Sequence, residues 1–94
     1  MKALSEEELQ AVVAELPHWR IADGKLIRDF TFSDFVAAML FVNQVAALAE
    51  TANHHPDIDI RYNQVRLGLV SHDSGGITKR DVSLAGRIDK GLSA

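Results

Sequence analysis

Residues 35–56, FVAAMLFVNQVAALAETANHHP, decide how the rest of the chain is arranged. Between Phe35 and Glu50 this stretch contains neither glycine nor proline and is mostly apolar, which predicts one long helix. Because proline disfavours helical angles in the residue before it, Pro56 predicts that the helix ends near Asn53. Apolar residues occupy more than one side of this helix, so we expect it to be buried on more than one side. A subunit interface is one candidate cover.

The segment before this helix is typical of a β-hairpin. Asp23-Gly24 supplies the positive φ angles of a tight turn, and it separates strands predicted at about 18–22 and 25–32. A two-residue turn at this position pairs Ile21 with Leu26.

Two polar positions around this hairpin carry further expectations. The same register places Arg28 opposite Trp19, where we expect it either to stack on the indole or to lie at the rim of the sheet. Ser33 is the predicted N-cap of the long helix, with Asp34 in the first turn.

A second hairpin is predicted after the long helix. Asn63-Gln64 is its expected connection, and apolar residues alternate with polar ones on both sides of it. The alternating residues are Ile58, Ile60 and Tyr62 before the connection, and Val65, Leu67 and Leu69 after it.

Capping residues predict a helix at each end of the chain. Ser5 and Glu8 have the spacing of a capping box, and Pro17 ends that first helix at about Leu16. Thr78, with Asp81 three residues later, begins the last helix in the same way. Leu84, Ile88 and Leu92 form its expected inner line.

The predicted order is α-β-β-α-β-β-α, an α+β fold in one domain over residues 1–94. The two hairpins would join into a four-stranded antiparallel sheet with the three helices packed on one face. In the second hairpin, the start of one strand and the end of the next share an edge of the sheet. We therefore expect His72 to lie close to His54 and His55.

Composition narrows the class of protein. The 94 residues include no cysteine, which excludes thiolate chemistry and is compatible with the cytoplasm. Scattered basic residues and a net charge of -3 argue against a nucleic-acid partner. The acidic N-terminus is unlike a signal peptide, and no apolar run approaches the ~20 residues that span a membrane.

Three of the four histidines lie in the two segments that the fold should bring together, and imidazole exchanges protons near neutral pH. Each could also be a surface residue at a loop end, as His18 is expected to be. A metal site built from Glu50, His54 and His72 is a competing interpretation, although it leaves His55 unexplained.

The pattern Glu50-x3-His54-His55-Pro56-x5-Tyr62-x9-His72-x8-Asp81 resembles the signature of the pterin-4a-carbinolamine dehydratases. The similarity extends through residues 71–78 and back to Trp19, and so covers nearly the whole chain. Mammalian members carry aspartate where this chain has Asn53.

The resemblance implies a dehydratase that converts 4a-hydroxytetrahydrobiopterin to quinonoid dihydrobiopterin and water, in recycling of the tetrahydrobiopterin used by an aromatic amino acid hydroxylase. Such a reaction needs one acid and one base and neither a metal nor a cofactor. We further expect a homodimer or homotetramer in the cytoplasm, with no nucleic-acid or membrane partner. The alternative on the same fold is a non-catalytic dimerisation or scaffolding module, a role that some relatives serve.

The resemblance also assigns roles by position. His54 and His72 become general acids, and His55 becomes the main substrate-binding histidine and a candidate base. Glu50 and Asp81 would orient the histidines. The pocket would further be lined by Asn53, Ser71 and Asp73.

Overall fold

The computed structural model describes residues 1–93, with side chains described through residue 91. Its helices and strands are α1 (Glu6–Glu15), β1 (Arg20–Ala22), β2 (Lys25–Thr31), α2 (Phe35–Ala52), β3 (Asp57–Arg61), β4 (Gln64–Leu69) and α3 (Lys79–Ser93). A 3₁₀ turn, His72–Ser74, separates β4 from α3. The predicted α-β-β-α-β-β-α order is confirmed. The predicted inner position Leu92 lies outside the described side chains.

The four strands form one antiparallel sheet in the order β1-β2-β4-β3. The hairpins join through β2 and β4, where Phe30 pairs with Val65. Ile21 pairs with Leu26 as predicted. The second hairpin thus places β3 at an edge, with its first residue directly after Pro56.

The helices cover one face of the sheet, and the core lies between them. Its residues come mainly from the inward side of the strands and from α2 and α3, and Leu9 and Val12 of α1 pack against them. The most buried are Leu26, Ala38, Val45, Val65, Leu67, Leu69, Leu84, Ala85 and Ile88. The opposite face is polar, and there Asp29 accepts hydrogen bonds from Arg20 and Arg66. This alternation is what an antiparallel sheet covered on one side requires.

The structure corrects two local predictions. The N-cap of α2 is Asp34 rather than Ser33, because the Asp34 carboxylate accepts from the backbone N–H of Ala37 at 2.8 Å. The second hairpin turns at residues 62–63 rather than at Asn63-Gln64. The Asn63 side chain donates to the Phe32 carbonyl at 2.9 Å, which holds it in the turn and leaves Gln64 in the strand.

Arg28 neither stacks on Trp19 nor lies free at the rim. Its Nη1 lies 2.5 Å from Oδ1 of Asp89 on α3, and its guanidinium lies 4.5 Å from the centre of the Phe30 ring. Trp19 Nε1 donates to the same carboxylate at 3.0 Å. A counter-charge from α3 therefore explains how an arginine is tolerated on the inward face of β2.

Helix α2 is apolar on both its inward and outward sides, as predicted, but only the inward side is buried within this chain, so the expected burial on a second side is not found in the single subunit. Its inward side buries Ala38, Phe41, Val42, Val45 and Ala49. Phe35, Val36 and Leu40 remain exposed, with 49%, 66% and 62% of their surface accessible. The expectation that no segment approaches membrane-spanning length was wrong, because α2 reaches it by length and composition alone, although it packs on the sheet.

Candidate active site

A buried carboxylate lies at the centre of the candidate site. Asp81 has no exposed surface, and its Oδ1 lies 2.5 Å from Nε2 of His54. Its Oδ2 accepts from the Ser71 hydroxyl at 3.0 Å and from the Thr78 backbone N–H at 2.8 Å. One side chain thus connects the end of α2, the end of the second hairpin and the start of α3.

The backbone conformation at the end of α2 and at the start of α3 positions His54 and Asp81. Asn53 ends α2 in the left-handed conformation, with φ 50°, a conformation that asparagine tolerates better than most residues. The His54 N–H still bonds to the Ala49 carbonyl at 3.1 Å, so the imidazole stays close to the helix end. At the other side, Asp81 accepts from the Thr78 N–H, which is half of a capping box, and Thr78 Oγ1 accepts from the Arg80 N–H at 3.2 Å rather than from that of Asp81.

The contact with Asp81 determines how the His54 ring is used. An ionised carboxylate only accepts hydrogen bonds, so Nε2 of His54 carries the proton that points to Asp81. In a neutral imidazole the other ring nitrogen, Nδ1, is then a hydrogen-bond acceptor. The His54 side chain is 11% exposed, so it is largely but not fully buried.

Glu50 pairs with His55 rather than with His54. Its Oε2 lies 2.5 Å from Nε2 of His55, and both side chains are exposed. The helical spacing between Glu50 and His54, on which the metal interpretation depends, therefore does not bring these two side chains together. Within the described residues, no group of three His, Asp or Glu side chains is arranged to bind one metal ion.

The third histidine lies on a short loop closed at its base. Ser71 and Gly76 exchange backbone hydrogen bonds of 3.0 and 3.3 Å, and the 3₁₀ turn that begins with His72 projects between them. His72 is exposed. Ser71 directly precedes it and binds Asp81, which also contacts His54, so the base of this loop is connected to the end of α2. The expected proximity of His72 to His54 and His55 stays a prediction.

Sequence reasoning missed Arg80. Its Nη2 lies 2.6 Å from Oδ1 of Asp73 in the turn, and this hydrogen bond holds the pKa of Asp73 below its usual value. The only signal in the sequence was a basic residue directly before Asp81, which by itself indicates little.

The remaining predicted residues occupy different environments. Asn53 is exposed at the end of α2. The Ser71 side chain is buried, with its hydroxyl 2.8 Å from that of Thr78.

A cavity of about 490 Å³ lies outside the candidate site, on the polar face of the sheet beside Asp29 and Arg66.

Comparisons with known proteins identify the family of this chain. Residues 2–91 match the family described as pterin 4 alpha carbinolamine dehydratase. A protein of Acidobacterium capsulatum is 53% identical over 95% of this chain and 97% of its own. One of Chloroflexus aurantiacus is 50% identical over 96% and 97%. Both carry the name "Putative pterin-4-alpha-carbinolamine dehydratase".

Two solved structures are also similar. A transcriptional coactivator/pterin dehydratase from Brucella melitensis superposes with a TM-score of 0.89, at 33% identity over 95% of this chain and 97% of its own. A pterin dehydratase-like protein, identified as a RuBisCO assembly factor in the alpha-carboxysome, gives 0.64 at 25% identity over 77% and 86%. From the matched residues and the extent of these similarities, the chain belongs to the pterin-4-alpha-carbinolamine dehydratase family.

Proposed function

We propose that this protein dehydrates 4a-hydroxytetrahydrobiopterin to quinonoid dihydrobiopterin by histidine acid–base catalysis. The observation that carries the proposal is the bond from His54 Nε2 to the buried Asp81, which leaves Nδ1 to exchange a proton with a ligand. Family membership supplies the substrate class. In this role the protein acts in the cytoplasm and recycles the pterin used by an aromatic amino acid hydroxylase.

The reaction requires two proton transfers. Hydroxide is a poor leaving group, so the oxygen on C4a must be protonated as its bond to carbon breaks. The neighbouring ring nitrogen loses a proton as the C=N bond forms, and water is released. One positioned acid and one positioned base are sufficient for this elimination.

We assign the acid role to His54 and His72, and substrate binding with a candidate base role to His55. Glu50 supports His55 through their 2.5 Å contact, as Asp81 supports His54. Asn53 and Asp73 are exposed beside these groups and are proposed to contact the pterin. Ser71 contributes by holding Asp81, because its hydroxyl is turned towards that carboxylate.

A second candidate function is a scaffolding module built from copies of this chain. The exposed apolar side of α2 favours it, since Phe35, Val36 and Leu40 cluster there without a cover. The name of one structural neighbour describes an assembly factor. A homodimer or homotetramer formed through α2 is compatible with either function, so this surface does not decide between them.

The histidines separate the two functions. Dehydration of freshly generated 4a-hydroxytetrahydropterin should exceed the spontaneous rate with the wild type. His54→Ala and His72→Ala should each lose part of this activity, and the double variant should lose about 10²–10⁴-fold, the range for positioned acid–base groups. His55→Ala should mainly weaken pterin binding, and the control His18→Ala should change neither quantity. A folded double variant with wild-type turnover would exclude the histidine mechanism and favour the scaffold.

A further inference from the structure

The first turn of α3 reaches both sides of the candidate site through two consecutive residues. Asp81 binds His54, and Arg80 binds Asp73, the residue next to His72. Both side chains extend from one capped helix start, so their positions relative to each other are set by a rigid element.

Among the described residues, the backbone hydrogen bonds of the loop that carries His72 lie within the loop. Its base is closed by the Ser71–Gly76 backbone pair, and inside it Ser74 N–H bonds to the Ser71 carbonyl at 3.0 Å. These bonds shape the turn without connecting it to a helix. The contact of Asp73 with Arg80 makes that connection, at 2.6 Å.

The Arg80 side chain is partly buried, which limits the polar groups that its guanidinium can reach. Only a third of its side chain is exposed, and its Nε is buried without a hydrogen-bond partner in the described part of the chain. A buried N–H without an acceptor is destabilising. The ion pair with Asp73 is thus the favourable polar contact of the guanidinium, and it is also the first cause of the lowered Asp73 pKa.

We propose that Arg80 is a positioning residue that fixes the His72 turn against α3 through Asp73, so that His72 and His54 are presented to one substrate. The proposal rests on the proposed function. It assigns no contact between Arg80 and the pterin. Small displacements of a catalytic group lower the rate steeply, which makes such an anchor useful even where its own free energy is modest.

The test combines spectroscopy with kinetics. Arg80→Met and Asp73→Ala should each shift the imidazole NMR signals of His72 and increase the mobility of residues 72–75, while the signals of His54 stay unchanged. Each should lower kcat by up to about fivefold, the factor that corresponds to the upper end of the free energy of an exposed ion pair. Because Arg80 acts through Asp73, which is also proposed to contact the pterin, the double variant should lose no more than Asp73→Ala alone, and Arg80→Lys should recover part of the loss of Arg80→Met.

Arg87→Met is the matched control, because Arg87 is an exposed arginine on the same helix. It should change neither the His72 signals nor kcat. In Arg80→Met the Asp73 pKa, followed by carboxyl NMR, should rise towards ~3.9, although the N-terminal amino group also lowers it to a smaller extent.

Unchanged His72 signals and turn mobility in folded Arg80→Met would overturn the proposal, as would multiplicative kinetic losses in the double variant. The NMR measurements do not depend on turnover. An inactive wild type would therefore refute the dehydratase function while the spectra still decide whether Arg80 orders the turn.

Discussion

The imidazole Nε2 of His54 lies 2.5 Å from Oδ1 of Asp81, a carboxylate with no exposed surface. A histidine at the end of a helix would be favoured by the helix dipole alone. The dipole does not orient the ring, whereas a buried carboxylate next to one ring nitrogen selects which nitrogen is protonated and fixes the plane of the ring.

Asp81→Asn should therefore impair both activity and stability. The amide oxygen can still accept from Ser71 and Thr78, but the NH2 group that replaces Oδ1 only donates, so it bonds to His54 Nε2 only when the ring proton is on Nδ1. The remaining hydrogen bonds also lose the negative charge of their acceptor. We expect kcat to fall by about 10²-fold or more, and the free energy of unfolding to fall by roughly 1–3 kcal/mol. Kinetics and urea denaturation at pH 7 measure the two effects. The exposed Asp59→Asn is the control, and equal effects of both substitutions would contradict this role of Asp81.

Sequence reasoning found Asp81 through its capping position, but it did not establish which histidine each of the two acids, Glu50 and Asp81, contacts. Glu50 and His54 have one-turn spacing, which suggests adjacency only if the helix continues through both. The left-handed Asn53 ends α2 before His54, so that Glu50 meets His55 instead. The backbone conformation of Asn53 thus determines that Glu50 contacts His55, and no local sequence pattern predicted that conformation.

The strands and helices were easier to predict, because each follows from periodicity and a turn signal. Asp23-Gly24 set the first hairpin correctly, with Ile21 opposite Leu26. The second turn was misplaced by one residue, since Tyr62 adopts φ 54° without being a residue typical of that conformation. The contact between Arg80 and Asp73 depends on where α3 begins in space, which the spacing of seven residues does not reveal.

Activity should not depend on a metal ion. Glu50 and His54, two members of the alternative ligand set, are directed to different partners. Dehydration would be measured before and after exhaustive chelation, and we expect an unchanged rate. A large loss that zinc restores would require these side chains to rearrange around an ion and would end the metal-free mechanism.

The outward side of α2 should carry a subunit interface. Val36→Glu and Leu40→Glu place a charge on exposed apolar positions, and an unpaired charge in an apolar contact is strongly unfavourable. Sedimentation should show an oligomeric wild type and monomeric variants. Val42 is unsuitable for this test because it is buried in the core. Ala14→Glu, on the exposed side of α1, is the control, and a monomeric wild type at micromolar concentration would refute the interface.

The polar face of the sheet should contribute to stability in a pH-dependent way. Hydrogen bonds from Arg66 and then Arg20 lower the pKa of Asp29. Its pKa in the folded state lies below the unfolded value of ~3.9, so its contribution is complete above that pH and disappears as pH falls through the folded value. Asp29→Asn should lower the free energy of unfolding at pH 7 by at most ~1 kcal/mol, and the difference should vanish once the pH lies below the pKa of Asp29 in the folded state. A difference that persists there would indicate packing rather than charge.

Asp89 should matter more for stability than any exposed ion pair of this chain. It is the counter-charge of Arg28, whose side chain is 18% exposed, and the acceptor for the indole N–H of Trp19, which is 3% exposed. Asp89→Ala leaves a largely buried guanidinium and a buried donor unpaired, so we expect a loss of roughly 2–4 kcal/mol. Asp57→Ala, which breaks the exposed pair with Lys25, is the matched control and should cost less than ~1 kcal/mol. Urea denaturation measures both, and equal losses would show that Asp89 stabilises the fold no more than a surface carboxylate does.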